Sequence, residues 1–231
     1  MSATGRNTEN GRTIFIGDVH GCAQELKLLV QKLELQPEDR VVMLGDLINR
    51  GPDPAGVVDF VFEQGFECLK GNHEDEYLRH YHGLEPYASL RRKIGDEKHS
   101  WIESLPLWIE SDDFMAVHAG LEPYKHPSQT SPRVLLTIRT WDGSGIDLKN
   151  PDNPAWYEFY HESKPVFYGH WARRGLNIRD NTVGLDSGCV YGRALSAYIL
   201  ETRELVQLPA LKTHYIPPSL RHKQGSAFTG S

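Results

Sequence analysis

The feature that most constrains this chain is how its short apolar runs end. Thr13–Ile16 closes on Gly17-Asp18-Val19-His20-Gly21, and Val41–Leu44 on Gly45-Asp46-Leu47-Ile48-Asn49-Arg50-Gly51. Phe66–Leu69 leads into Gly71-Asn72-His73-Glu74, Phe114–Val117 into His118-Ala119-Gly120, and Val166–Tyr168 into Gly169-His170. Each run has the length and the β-branched or aromatic content of a buried strand. The glycines let the backbone turn sharply and let a ligand come close. One Asp or His after one strand is ordinarily a satisfied loop residue. Five such ends in one chain point to a common site at the strand ends, where open α/β sheets bind ligands.

Between these runs the spacing turns helical. Ala23–Leu33 carries Leu26, Leu29, Val30 and Leu33 at helical intervals, and Ala55–Gln64 and Glu74–His82 follow the second and third runs. Pro86–Trp108 also reads as helical, with Trp101, Leu105 and Trp108 on its core face. Ala194–Leu200 and Leu205–Pro209 read as a hairpin closing through Glu201–Glu204. Strands alternating with helices, then a strand-rich end, predict an α/β fold with mixed sheets. A chain of 231 residues is long enough to build a core without disulfide staples. With no linker or repeat inside it, 12–211 is expected to be one domain. Residues 1–11 are polar and expected to be loose, and 212–231, rich in Pro, Gly and Ser, is expected to be flexible.

Composition removes several classes of function. The net charge is −6, which argues against general affinity for nucleic acid or anionic lipid. No run approaches the ~18 apolar residues of a membrane span. The opening MSATGRNTENGR has no apolar signal core, so a cytoplasmic location is expected. Cys22, Cys68 and Cys189 are odd in number and lack C-x-x-C spacing, which fits a reducing compartment and offers no thiolate zinc site. No G-x-x-x-x-G-K-[ST] loop occurs, which excludes a P-loop nucleotide switch.

The side chains at the strand ends also select a metal. Carboxylate, imidazole and amide oxygen without thiolate suit Mn²⁺, Fe or Zn²⁺. Two Asp, one Asn and three His exceed what one tetrahedral ion with an open position needs. They suit two ions about 3.5–4 Å apart that share a carboxylate.

The ordered set GDVHG, GDLINRG, GNHE, VHAG and GH resembles the phosphoprotein-phosphatase branch of the calcineurin-like metallophosphoesterases, over residues 13–210. The resemblance implies a four-layer sandwich, two mixed β-sheets stacked face to face with helices outside. It also implies two divalent ions, Mn²⁺ foremost, and attack on phosphorus by a hydroxide they hold. Asp18 and His20 would bind the first ion, Asp46 both, and Asn72, His118 and His170 the second. His73 resembles the general acid for the leaving oxygen, and Arg50 the arginine that grips phosphate oxygens. Arg139 sits where the family often has a second phosphate-binding arginine; an exposed helix arginine is the alternative. Asp186–Gly192, DSGCVYG, resembles the loop overhanging the metals, with Tyr191 at its tip and Cys189 as packing. Arg173 and Arg174 read as a solvated loop, with a substrate groove as the alternative.

One position departs from the protein phosphatases of this branch, which usually carry a second Asp in GD-x-x-DRG; here it is Asn49. An amide orients His73 but does not stabilise an imidazolium as a carboxylate does. GDLINRGPD and LDSGCVYG look more like bacterial symmetrical diadenosine tetraphosphatases, whereas Leu121–Lys164 looks more like small broad-specificity bacterial phosphatases. The substrate is thus a phosphoprotein, a dinucleoside polyphosphate or another phosphate ester. A nuclease or phosphodiesterase on the same scaffold, or a metal-binding scaffold without catalysis, are the alternatives.

Overall fold

The structure, a computed structural model, describes residues 11–218. Two five-stranded sheets carry it. The first has the order β10-β9-β1-β2-β3, formed by Glu204–Pro209, Ala194–Ile199, Thr13–Ile16, Arg40–Met43 and Glu67–Cys68. The second has the order β4-β5-β6-β8-β7, formed by Trp108–Glu110, Met115–Val117, Val166–Tyr168, Thr182–Gly184 and Asn177–Ile178. In the first sheet β1, β2 and β3 run parallel and β9 and β10 antiparallel to their neighbours. In the second, β5, β6 and β8 run parallel between antiparallel β4 and β7. Both sheets are mixed, as expected.

Alternation along each strand explains why these runs are apolar on both sides. Ile14 and Ile16 of β1 face helices α1 (Ala23–Leu33) and α2 (Pro54–Glu63), whereas Phe15 faces the opposite sheet. Phe167 of β6 does the same from the other side, stacking on Phe15 at 3.7 Å between centroids and 7° between planes. Val166 and Tyr168 turn outward to pack with Trp156 and with Leu135 of α5 (Pro132–Thr137). Three apolar clusters thus separate four layers, the sandwich the resemblance implied.

Local chemistry sets the helix ends. Asp53 caps α2 by accepting the Gly56 N–H at 2.9 Å, and Pro54 opens the helix with its φ preset. Helix α3 is Asn72–His80 and α4 is Tyr87–Ser104. The continuous helix expected to Trp108 is corrected at two points. Gly95, at φ 75° and ψ −176°, breaks α4 inside, and the helix stops before Pro106, which disfavours helical backbone at Leu105. Of the expected face Leu105 is buried, but the helix buries Tyr87, Leu90, Ile94, His99 and Ile102 instead of the tryptophans; Trp101 is half-buried and Trp108 starts β4.

The loose tail expected from residue 212 is corrected for its described part. His214 Nε2 lies 2.6 Å from Glu25 Oε1, and the His214 and Tyr215 N–H groups donate to the Val190 carbonyl at 3.0 and 2.9 Å. This segment docks because it supplies the partner of a buried carboxylate, which composition does not reveal. Residues 219–231 and 1–10 lie outside the described part. Among the described residues no helix is long and apolar enough to cross a membrane.

Candidate metal centre and active site

All six parallel strands end at one edge, three from each sheet, and their following loops converge there. Among the described residues, five of the eight non-glycine residues with positive φ belong to these loops: His20, Asp46, Asn49, Arg50 and His170. Side chains rarely adopt this backbone, and such strain concentrates where function requires a particular aim. Glycine is needed for close approach at Gly71 and Gly169, where a Cβ would collide with Asp46 Oδ1 and Asp18 Oδ1.

Asp46 lies at the centre, 1% exposed. Its Oδ2 is 3.6 Å from His20 Nε2, and its Oδ1 is 3.5 Å from His118 Nε2. Two groups able to hold a cation therefore share it: Asp46 with His20 and His73, and Asp46 with His118 and His170. Asn72 Oδ1 joins the second group, 2.7 Å from His170 Nδ1 and 3.1 Å from His118 Nε2. Asp18 takes the His170 N–H at 3.1 Å and lies 4.0 Å from His20 Nε2. The structure brings together all six side chains singled out as ligands.

Hydrogen bonds fix the histidine rings. Nδ1 of His20 is 3.0 Å from the Ile48 carbonyl and Nδ1 of His118 is 2.7 Å from the Leu44 carbonyl. A carbonyl only accepts, so both rings carry their proton on Nδ1 and turn an Nε2 lone pair inward, the state a metal needs. Burial pushes His20 down to about 3, against the pull of Asp46, and pushes His170 well below the usual histidine range. These imidazoles are neutral. Burial and neighbouring carboxylates raise Asp18 well above its ordinary value and Asp186 to about 6. Burial also works against the Asp46 charge, but the nearby histidines outweigh it and hold that carboxyl low.

Crowded carboxylates, neutral imidazoles and the buried, unpartnered His170 Nε2 fit divalent cations with oxygen and nitrogen ligands.

Two residues emerge that the strand-end reading did not assign. Asp186 follows β8, which also ends in glycine, so the same rule applied to a sixth strand finds it. Glu74, fully buried, accepts the N–H groups of Asp46, Leu47, Ile48 and Gly71 at 2.8, 2.9, 3.3 and 2.9 Å.

Around the cluster, Arg50 Nη1 donates to His20 Nε2 at 2.7 Å, and its guanidinium lies 5.7 Å from the Tyr191 ring centroid. His73 takes an Asn49 amide at Nδ1, 2.7 Å away. Arg139 is not an exposed helix arginine. It lies beyond α5, half-buried, with a buried Nε that has no partner, and burial and Arg50 lower its pKa against Asp186. Arg173 and Arg174 are exposed, and Cys189 is buried beside Cys22.

A two-sheet sandwich with this cluster at its parallel strand ends is the architecture of a metallophosphoesterase. Residues 11–200 match the family described as calcineurin-like phosphoesterase, and the chain belongs to it. It is 30% identical, over 84% of its length and 90% of the relative's, to the asymmetrical bis(5'-nucleosyl)-tetraphosphatase PrpE of Oceanobacillus iheyensis. It is 26% identical, over 85% of its length and 95% of the relative's, to the symmetrical bis(5'-nucleosyl)-tetraphosphatase of Methylobacillus flagellatus. A solved structure provisionally described as a diadenosine tetraphosphatase superposes with a TM-score of 0.80 at 30% identity, covering 89% of this chain and 96% of that one.

Proposed function

We propose that this hydrolase cleaves a phosphoanhydride bond of a dinucleoside polyphosphate at two divalent ions, Mn²⁺ foremost and Fe or Zn²⁺ as alternatives. Asp18 and His20 would hold the first ion, Asn72, His118 and His170 the second, and Asp46 both. Bound there, such a pair supplies positive charge for phosphate oxygens and an activated water at neutral pH. Arg50 and Arg139 would grip non-bridging oxygens, a planar two-point task suited to guanidinium. Tyr191 packs against Arg50 and would limit its swing.

One observation carries the choice of substrate: His73 is partnered at Nδ1 by the Asn49 amide, 2.7 Å away, rather than by a carboxylate. A carboxylate there would stabilise the imidazolium needed to protonate an alkoxide. A nucleotide phosphate leaves without that help. The tetraphosphatase relatives of both kinds accord with this reading.

The test compares diadenosine tetraphosphate, polyphosphate and a phosphoserine peptide side by side with Mn²⁺, with elemental analysis of the same preparation. A kcat/KM for the tetraphosphate at least about tenfold above the peptide is expected, that is ~1.4 kcal/mol of preference. Equal or faster peptide hydrolysis would make a phosphoprotein the substrate and overturn the proposal.

A further inference from the structure

A further cluster of ligating side chains shares no residue with the centre at the strand ends. Cys22, Glu25 and Cys189 are all buried, and one ligand atom from each lies within 4.8 Å of the other two. Cys22 immediately precedes α1 and Glu25 stands in the first turn of that helix, whereas Cys189 comes from the loop after β8. The cluster has no C-x-x-C spacing because its two thiols meet only through the fold. His214 adds a fourth ligand type, with its side chain 6% exposed. Its Nε2 lies 2.6 Å from Glu25 Oε1, the same oxygen that takes the Leu211 N–H at 3.2 Å.

The dimensions suit one tetrahedral ion. Around zinc, two sulfur ligands stand about 3.8 Å apart and two oxygen or nitrogen ligands about 3.3 Å apart. Cys22, Glu25 and Cys189 are already gathered to that scale. His214 Nε2 and Glu25 Oε1, at 2.6 Å, open by about 0.7 Å to admit the ion between them. Two thiolates with an imidazole and a carboxylate select zinc rather than the Mn²⁺ suited to the oxygen-rich strand-end centre. Cys22 Sγ spends its proton on the His20 carbonyl at 3.8 Å, a long and weak bond, so little is lost when the ion takes its place. Both thiol protons leave to solvent as the ion binds, and the negative charge so gathered lies at the positive end of α1.

We propose that Cys22, Glu25, Cys189 and His214 form a structural Zn²⁺ site. The ion ties three segments that no disulfide joins. These are the start of α1 behind Asp18 and His20, the loop carrying Asp186 and Tyr191, and the C-terminal segment that docks on the Val190 carbonyl. Tyr191 lies 5.7 Å from the Arg50 guanidinium on one side and 6.2 Å from the Tyr215 ring on the other. The ion therefore braces the loop beside Arg50 from behind, whichever phosphate compound the centre cleaves.

The test produces the full chain reduced, in medium with Co²⁺ in place of Zn²⁺, and reads its absorption spectrum. Thiolate-to-cobalt charge transfer in the near ultraviolet reports this site alone, because the strand-end centre has no sulfur ligand. The band is expected in the wild type, kept in Cys68→Ser and lost in Cys189→Ser. His214→Ala changes a side chain at the edge of the cluster, and competition with a chelator is expected to show cobalt held at least about tenfold more weakly. A reduced wild type without the band overturns the proposal. So does a band that Cys189→Ser keeps, or a cobalt affinity that His214→Ala leaves unmoved. Failure of the substrate proposal would leave the spectrum unaffected.

Discussion

The backbone N–H of Asp46 donates to Glu74 Oε2 at 2.8 Å. Asp46 reaches both candidate ion positions from a residue at φ 52°, a conformation an Asp does not hold unaided. Glu74 holds it there, binding the N–H groups of three consecutive residues of the Asp46 loop and of Gly71 across the gap between β2 and β3. Burial and the nearby Asp46 charge push its pKa up, while the four N–H groups donating to its two oxygens favour the carboxylate. Glu74→Gln keeps the volume but replaces one acceptor oxygen by a donor that faces other donors. Bound metal is expected to fall below the two ions per chain proposed for the wild-type centre, with a loss of stability of about 2–3 kcal/mol. Elemental analysis and denaturant unfolding check both. Full metal content in a stable variant would leave Glu74 without this role.

Arg139 has a buried Nε with no partner. If that nitrogen awaits a phosphate oxygen, Arg139→Ala is expected to raise KM for diadenosine tetraphosphate by roughly 10–100-fold, one charge-assisted hydrogen bond's worth. Thermal stability should hold or rise, because a guanidinium that burial disfavours and whose Nε has no partner is removed. Steady-state kinetics and a melting curve decide it.

His214 ties the described C-terminal end to α1 through Glu25, whose carboxylate also accepts the Leu211 N–H at 3.2 Å. Burial would raise Glu25, but these bonds outweigh it and keep the group ionised. His214→Ala leaves that carboxylate short of a partner and is expected to cost about 2–3 kcal/mol. Proteolysis should then open near residue 211 before the rest of the chain. A wild-type digestion pattern would contradict this.

Asp39 gives a pH signature. It accepts the Arg12 N–H at 2.8 Å, the Arg12 Nε–H at 3.1 Å and the Gln36 N–H at 2.9 Å. Burial works against its charge, yet the Arg12 bond and these N–H groups hold its pKa below the ordinary 3.8. A folded pKa below the unfolded one means stabilisation that is present above 3.8 and lost as pH falls through the folded value. Asp39→Asn is therefore expected to be less stable than wild type by about 1–3 kcal/mol at pH 7. The gap should close in acid below pH 3.8, which unfolding curves across that range would show.

Much of the fold was legible locally. The bounds of β1, α1 and β6 coincide with the runs read from periodicity, because both faces of those strands and one face of that helix are buried by short-range patterns. Gly95 interrupts α4 and Pro106 stops it, although Pro86–Trp108 reads as one helix; the Trp residues there contribute apolar character without full burial. Asp186 escaped because its strand, Thr182–Gly184, carries a single large apolar side chain, Val183, and shows no apolar run.

The sequence by itself determined the chemistry: which residue types end each strand, and hence that divalent cations and phosphate belong to this chain. What only the tertiary structure decided is the direction of the protons. Glu74 reaching across to Asp46, His20 and His118 turned by backbone carbonyls, and the Asn49 amide set against His73 Nδ1 all join residues from different loops or helices. A hydrogen bond depends on ångström distances and on donors counted in space, and neighbours along the chain carry no record of either.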